Sequence, residues 1–416
     1  MTNYIIIALS VIIILSYLFD ITSKYTKIPG VLLLILLGIL IRFMVNETGF
    51  FVPDMEPILP VIGTLGLILI VMEASLDLKL NKEKRTIIFK SISSSAILFI
   101  LFVAAGSYIF TSFYGVPLKT SLLNIIPLAI ISSAVAIPAA MNLKKEDKEF
   151  VVYESSFSDI LGILVFDFIV IDHVSVSNGV LNLFFDGFLT LTISIITTAA
   201  LAFLLHKTTH HVNYVIIMTA IILIYVLAKL IHLPAMLLIL IFGLVLSNNR
   251  FLNMPLTRQF INFEKFETDI KSFKSIAGEL TFLVRSFFFI LFGYYTKIDE
   301  LLNLQNLFLS LTIVGFILLI RWLFFKQVIK QNISPLLFYA PRGLITILLF
   351  LSIPEIHRIA LINEGVVTQV IFISILLLTP GNIFNKTEKT KIEETKYPDE
   401  NSEIISEERI DEPYHI

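Results

Sequence analysis

Long apolar runs decide what this chain can become. Thirteen stretches of 15 or more mostly apolar residues follow one another at 3–22, 29–46, 58–77, 88–113, 120–142, 151–172, 183–206, 212–231, 233–247, 276–297, 303–325, 334–353 and 364–382. About 20 such residues in a helix cross the hydrocarbon core of a bilayer. Only structures that satisfy every backbone group internally can lie there. The pattern therefore predicts an all-α polytopic membrane protein with about 13 transmembrane helices. Composition agrees, with 56% hydrophobic and 15% charged residues, where a soluble domain carries roughly 25% charged.

Several classes fall away at once. The chain has no cysteine, which removes disulfides, thiolate metal sites and cysteine nucleophiles. The net charge of -2 says nothing about nucleic acid, but no basic patch appears outside short loops, so no nucleic-acid partner is expected; the expected partners are membrane lipid and the transported species. The first run, MTNYIIIALSVIIILSYLF, lacks a basic leader and a small-residue cleavage site and reads as a retained span. With the N-terminus outside, nineteen Lys and Arg residues fall in inner loops, from Lys24 and Lys27 to Arg321, Lys326 and Lys330. Only Arg42, Lys119, Lys297 and Arg358 fall in outer ones. That is the bias of a cytosolic inner face.

The region 1–384 is thus expected to be the membrane domain, and 385–416 a charged, disordered cytosolic tail. Between the ninth and tenth runs, Phe260, Phe263, Phe266, Ile270 and Phe273 recur at helical spacing among basic residues. This fits either an amphipathic helix on the inner membrane surface or a linker helix packed on protein.

Two runs are interrupted. The fifth contains Pro127, Ser132, Ser133 and Pro138, and the twelfth has Pro341, Arg342 and Gly343 at its centre. Proline removes a donor and disrupts a helix, and in lipid the freed groups need partners or a water-filled cavity. By the loop count the two runs cross in opposite senses. A pair of broken helices so placed points to inverted-topology repeats, with a transport site where they meet.

The sixth run, VVYESSFSDILGILVFDFIVID, is the acidic one. Asp159 lies about 13 Å of helix rise into it, near the midplane. Carboxylates at that depth are rare outside cavities and pathways. Ser155 shares its face, whereas Glu154 is about 140° away and shares another face with Ser158. Arg285 needs a buried anion, and Glu154 starts at a comparable depth, so these two are expected to form a structural pair. Asp159 is then left without a fixed partner. Desolvation disfavours the charged form of a carboxyl group, so such a group suits alternate occupation by a proton and a small hard cation. Asp167 either lines a vestibule or makes a polar contact, Lys229 snorkels, and Glu73 sits near the inner end of the third run.

Taken in order, KIPGVLLLILLGILIR, GTLGLILIVMEASLDLKL, ESSFSDILGILVF, FGLVLSN, ELTFLVRSFFFILFG and PRGLITILL resemble the monovalent cation/proton antiporter superfamily over nearly the whole chain. ESSFSD is similar to its ESxxND signature. The resemblance implies a core domain moving against a dimerisation domain in a homodimer. Asp159 would bind the monovalent cation or proton, with Ser155 as a ligand, Glu154 paired to Arg285, and Glu73 reaching the site through water. Arg342 would compensate the broken twelfth helix. Where the family has Asn-Asp this chain has Ser158-Asp159, which leaves one titrating acid and implies electroneutral exchange. Where sodium-handling members have Thr-Asp it has Ser132-Ser133-Ala134, so these serines and exposed carbonyls are the remaining candidate ligands and potassium stays open beside sodium. No cofactor is expected. The implied location is a bacterial inner (plasma) membrane, and the role pH homeostasis. Two rivals are weighed. An organic-anion/sodium symporter on a similar fold predicts a cationic pocket, and an intramembrane enzyme needs histidines at span depth, where none of the seven lies.

Overall fold

The computed structural model describes residues 2–26, 28–48, 54–77, 85–170, 192–193, 196–197, 213–230, 235–248, 263–329 and 335–384. Among these the regular structure is all helical, as the need to close every backbone hydrogen bond within a segment requires. The first helices are α1 (Thr2–Thr26), α2 (Gly30–Thr48), α3 (Leu59–Asp77) and α4 (Arg85–Tyr114). Then come α5 (Leu118–Ala129), α6 (Ser133–Ala139) and α7 (Lys145–Val170). After these follow α8 (Asn213–Leu230), α9 (Ala235–Ser247) and α10 (Phe263–Tyr295). The last described helices are α11 (Leu304–Phe324), α12 (Leu344–Leu351), α13 (Glu364–Leu376) and α14 (Leu378–Phe384). Among the described residues, seven helical segments are long and apolar enough to cross a membrane, and three shorter apolar helices accompany them. The acidic α7, at 26 residues, has the length but not the apolarity.

Every expected run has helix at its place except the seventh, 183–206, nearly all of which lies outside the described residues, as do Phe260 and the tail 385–416. The described helices therefore leave the count of thirteen open. The amphipathic stretch is not a separate element. It forms the start of α10, which at 33 residues is about 50 Å long and outruns the roughly 30 Å hydrocarbon layer. Ile270 and Phe273 on it are buried, and the Phe273 ring meets Phe242 at 6.4 Å and Tyr214 at 6.3 Å. Here the apolar face packs on protein.

Both interruptions are real breaks. Helix α5 stops at Ala129, Ile130 is extended, and α6 starts at Ser133. In the twelfth run a short turn, Leu336–Phe338, is followed by non-helical Tyr339–Gly343 before α12 begins. Pro341 drives the residue before it out of the helical region.

Packing sorts the rest. Helices α4, α5 and α6 lie on α7, and α11 lies on α4 and on the 336–338 turn. Helix α10 instead packs along α2 and α3. The α2–α10 crossing is a backbone contact: a Cβ on Gly38 would overlap the Ile290 carbonyl, and one on Gly293 the Ile35 carbonyl. Backbone cannot swing aside as a side-chain end can. Gly38→Ala is therefore expected to lower the melting midpoint of detergent-solubilised protein by several degrees. Gly315→Ala, in mid-helix with its Cβ entering open space, is expected to leave it unchanged or to raise it, because Ala is the better helix former. Equal midpoints for the two variants would contradict the close crossing.

Candidate functional site

The two breaks meet. The Ser132 amide donates to the Pro341 carbonyl at 2.8 Å. Gly343 comes so close that a Cβ there would stand 2.6 Å from Ser132 Oγ and 3.0 Å from Val135 Cγ2. Each freed backbone group then needs a partner, because an unpaired buried amide or carbonyl costs about 1–3 kcal/mol.

Side chains supply those partners. On the first break, the Ile131 amide donates to Ser158 Oγ at 2.9 Å, and the Ser133 amide, at the start of α6, donates to Asp159 Oδ2 at 3.0 Å. The carbonyls that end α5 accept from Arg342: Nε to Leu128 O at 2.8 Å and Nη2 to Ala129 O at 3.3 Å. Arg342 Nη1 also donates to Ala340 O at 2.6 Å. On the second break, Arg321 does the equivalent work, donating from Nε to Leu336 O at 3.1 Å and from Nη2 to Tyr339 O at 3.4 Å. Positive charge thus lies at the carbonyl ends of both interrupted segments and a carboxylate at an amide end, which is the arrangement helix dipoles favour.

Arg321 is where the expected charge pairing fails. Glu154 binds Arg321, not Arg285. The fork is bidentate, Nη1 to Oε1 at 2.9 Å and Nη2 to Oε2 at 2.5 Å, with both residues no more than 1% exposed. Depth along a span had suggested Arg285, but α10 packs on α2 and α3, whereas α11 delivers Arg321 to α7. Arg285 is partly buried and donates from Nη1 to Ala134 O at 3.2 Å. The sequence counted Arg321 as a loop cation. The available signal was its flanks, apolar on both sides from Leu318 to Phe325.

The remaining candidates divide. Asp159 is 2% exposed; its Oδ1 and the buried Ser132 Oγ have no hydrogen-bond partner within the described protein. Ser133 and Ser158 stand beside it through the contacts above. The buried Ser155 hydroxyl donates to Val151 O at 2.7 Å, within its own helix. Glu73 is partly buried on α3 and faces α10, its Oε1 3.4 Å from where a Cβ of Gly278 would be. Asp167 has Lys229 of α8 as an electrostatic partner. Among the described residues no group of three or more metal-type ligands occurs.

A polytopic helical protein with two interrupted helices meeting at a buried carboxylate is, by architecture, a secondary transporter. The family described as sodium/hydrogen exchanger, transmembrane, matches residues 8–381, and the chain belongs to it. Its reaction is cation/proton exchange across a membrane, and its embedding is multi-pass. The fold is that of the sodium proton antiporter MjNhaP1 from Methanocaldococcus jannaschii. A structure at pH 8 matches with 20% identity and a TM-score of 0.67, covering 91% of this chain and 98% of that one. A second structure of it, from an electron-microscopy map, matches with 21% identity and a TM-score of 0.65, covering 91% and 95%. No curated protein matches the chain significantly.

The ion pair carries a direct consequence. Arg321→Ala strands Glu154 and frees two carbonyls, a loss of about 3–5 kcal/mol for a broken buried pair. Arg285→Ala removes a single bond to one carbonyl. Yield and melting midpoint after solubilisation are expected to collapse for Arg321→Ala and to change little for Arg285→Ala; the reverse order would contradict the pairing.

Proposed function

We propose that Asp159 is the exchange site, taking up a proton or a monovalent cation, Na+ or K+, in turn as the crossing faces each side of the membrane. The observation that carries this reading is the Asp159 carboxylate itself. It is buried at the meeting of the two breaks, one oxygen fixed by the Ser133 amide and the other without a hydrogen-bond partner among the described residues. A small hard cation takes carboxylate, hydroxyl and carbonyl oxygens, and Oδ1 and Ser132 Oγ offer free lone pairs. The Ser155 proton is spent on Val151 O, so its oxygen presents lone pairs as well. Ser133 and Ser158 hold the carboxylate and its loop through the bonds described above. Glu73, lying against α10, acts on the cation only through water.

Charge balance supports electroneutral exchange. Glu154 is neutralised by Arg321, and Ser158 brings no charge, leaving Asp159 as the acid of the crossing that titrates. The site has the same net charge with a proton on Asp159 as with a cation beside the carboxylate, so a one-for-one cycle moves no net charge. We further infer a homodimer in a bacterial inner membrane, serving pH homeostasis, in keeping with the family to which the chain belongs.

Everted vesicles holding the protein are expected to dissipate a preformed pH gradient on addition of Na+ or K+. The rate is expected not to change when the membrane potential is clamped at zero. Asp159→Asn is expected to lower that rate to the background of vesicles without the protein. Wild-type exchange by Asp159→Asn would overturn the site, and a rate that follows the membrane potential would overturn electroneutrality.

A further inference from the structure

Helix α4 carries a polar stripe that the exchange site does not use. Ser91, Ser94 and Ser95 lie at helical spacing and are all buried, on a helix otherwise fit to cross a membrane. They face a row on α7, where Phe150, Glu154 and Ser158 recur every four residues. Ser91 Oγ donates to Phe150 O at 3.3 Å. One turn on, Ser94 Oγ donates to Glu154 Oε1 at 2.6 Å. Ser95, a residue later, lines a cavity of about 20 Å³ together with Ser158, Arg321 and Arg342.

The Ser94 bond differs in kind from its neighbours. Its acceptor is an ionised carboxylate, and the distance is short, as charge-assisted hydrogen bonds are. It also completes Glu154, whose two oxygens then hold three donors: two from Arg321 and one from Ser94. Glu154 is a long side chain with free torsions, and the Arg321 fork ties its carboxylate to α11 but not to α4. The Ser94 hydroxyl fixes the carboxylate to α4. The guanidinium is then aimed so that Nε and Nη2 reach Leu336 O and Tyr339 O. The Phe325 ring at 4.8 Å backs it from the other side.

We propose that Ser94 is a positioning residue for the exchange reaction. It acts through Glu154 and Arg321 to hold the second break in register with the first. It bonds Glu154 and not Asp159, so the inference does not require Asp159 to be the cation site; it rests only on exchange by this fold with Glu154 held by Arg321. Losing the hydroxyl lets Arg321 slip from the Leu336 and Tyr339 carbonyls, and the crossing then pays in turnover.

The test compares Ser94→Ala, Ser94→Thr and Ser94→Val in proteoliposomes, reading the maximal exchange rate and the KM for Na+ or K+. Threonine keeps the hydroxyl, whereas valine has its shape without it. Loss of one charge-assisted bond is expected to lower the maximal rate about tenfold in the alanine and valine variants. KM is expected to stay within about twofold, and threonine to restore the rate to within about threefold of the native protein. A native rate in Ser94→Ala, a threonine variant as slow as valine, or a fall expressed in KM alone would overturn the proposal. So would a valine variant that fails to reach the membrane beside a threonine variant that does, since the hydroxyl would then serve folding alone. Exchange that survives Asp159→Asn while Ser94→Ala is slow would sink the Asp159 site and leave this proposal standing.

Discussion

Breaking a helix inside a bilayer exposes amides and carbonyls that lipid cannot satisfy, and this structure is arranged around meeting that cost twice at one place. The amides of the first break go to Ser158, Asp159 and the carbonyl of Pro341. The carbonyls go to Arg342, and those of the second break to Arg321. Two guanidinium groups, each less than 3% exposed, are an expensive way to cap a helix. Their value is that they leave a carboxylate at the crossing with one oxygen uncommitted. The backbone requirement and the proposed binding site are one construction.

The same arrangement separates two acids five residues apart on α7. Glu154 receives a bidentate guanidinium and a serine hydroxyl and is fully spent. Asp159 receives one backbone amide on Oδ2, and Oδ1 has no hydrogen-bond partner among the described residues. Helix phase alone turns them apart by about 140°, but phase does not say which is paired and which keeps an uncommitted oxygen. Their neighbours do. Cation/proton exchange needs a group that alternates between two occupants, and a carboxylate locked to an arginine cannot alternate.

Much of this was legible in the residues. The helices at the expected runs follow from run length, and the second break from Pro341 with Gly343; the first falls at Ile130–Ser132, between Pro127 and Pro138, which both stay inside helices. These properties are local to a segment. Arg321 was not legible in that way, because its role depends on which helix lies against α7. Depth made Arg285 as good a candidate, and only the packing of α10 on α2 and α3 sends Arg285 to Ala134 O instead. Ser94 went unseen for a related reason. A serine in an apolar helix commonly bonds its own backbone, as Ser155 does, so nothing along α4 marks the one that reaches Glu154. The amphipathic stretch before the tenth run had two readings, and burial of Ile270 and Phe273 against protein decides that part of it.

The central claim is that proton and cation compete for one carboxylate, and the pH dependence of the cation KM tests it most directly. Initial exchange rates in proteoliposomes, at several Na+ or K+ concentrations and at fixed internal conditions, give KM and maximal rate at each pH. Competition at Asp159 predicts that, on the acid side, the apparent KM rises by about tenfold per pH unit by mass action, with the maximal rate at saturating cation nearly constant. A KM that stays level while the maximal rate falls with pH would place the proton on a different group and contradict the account.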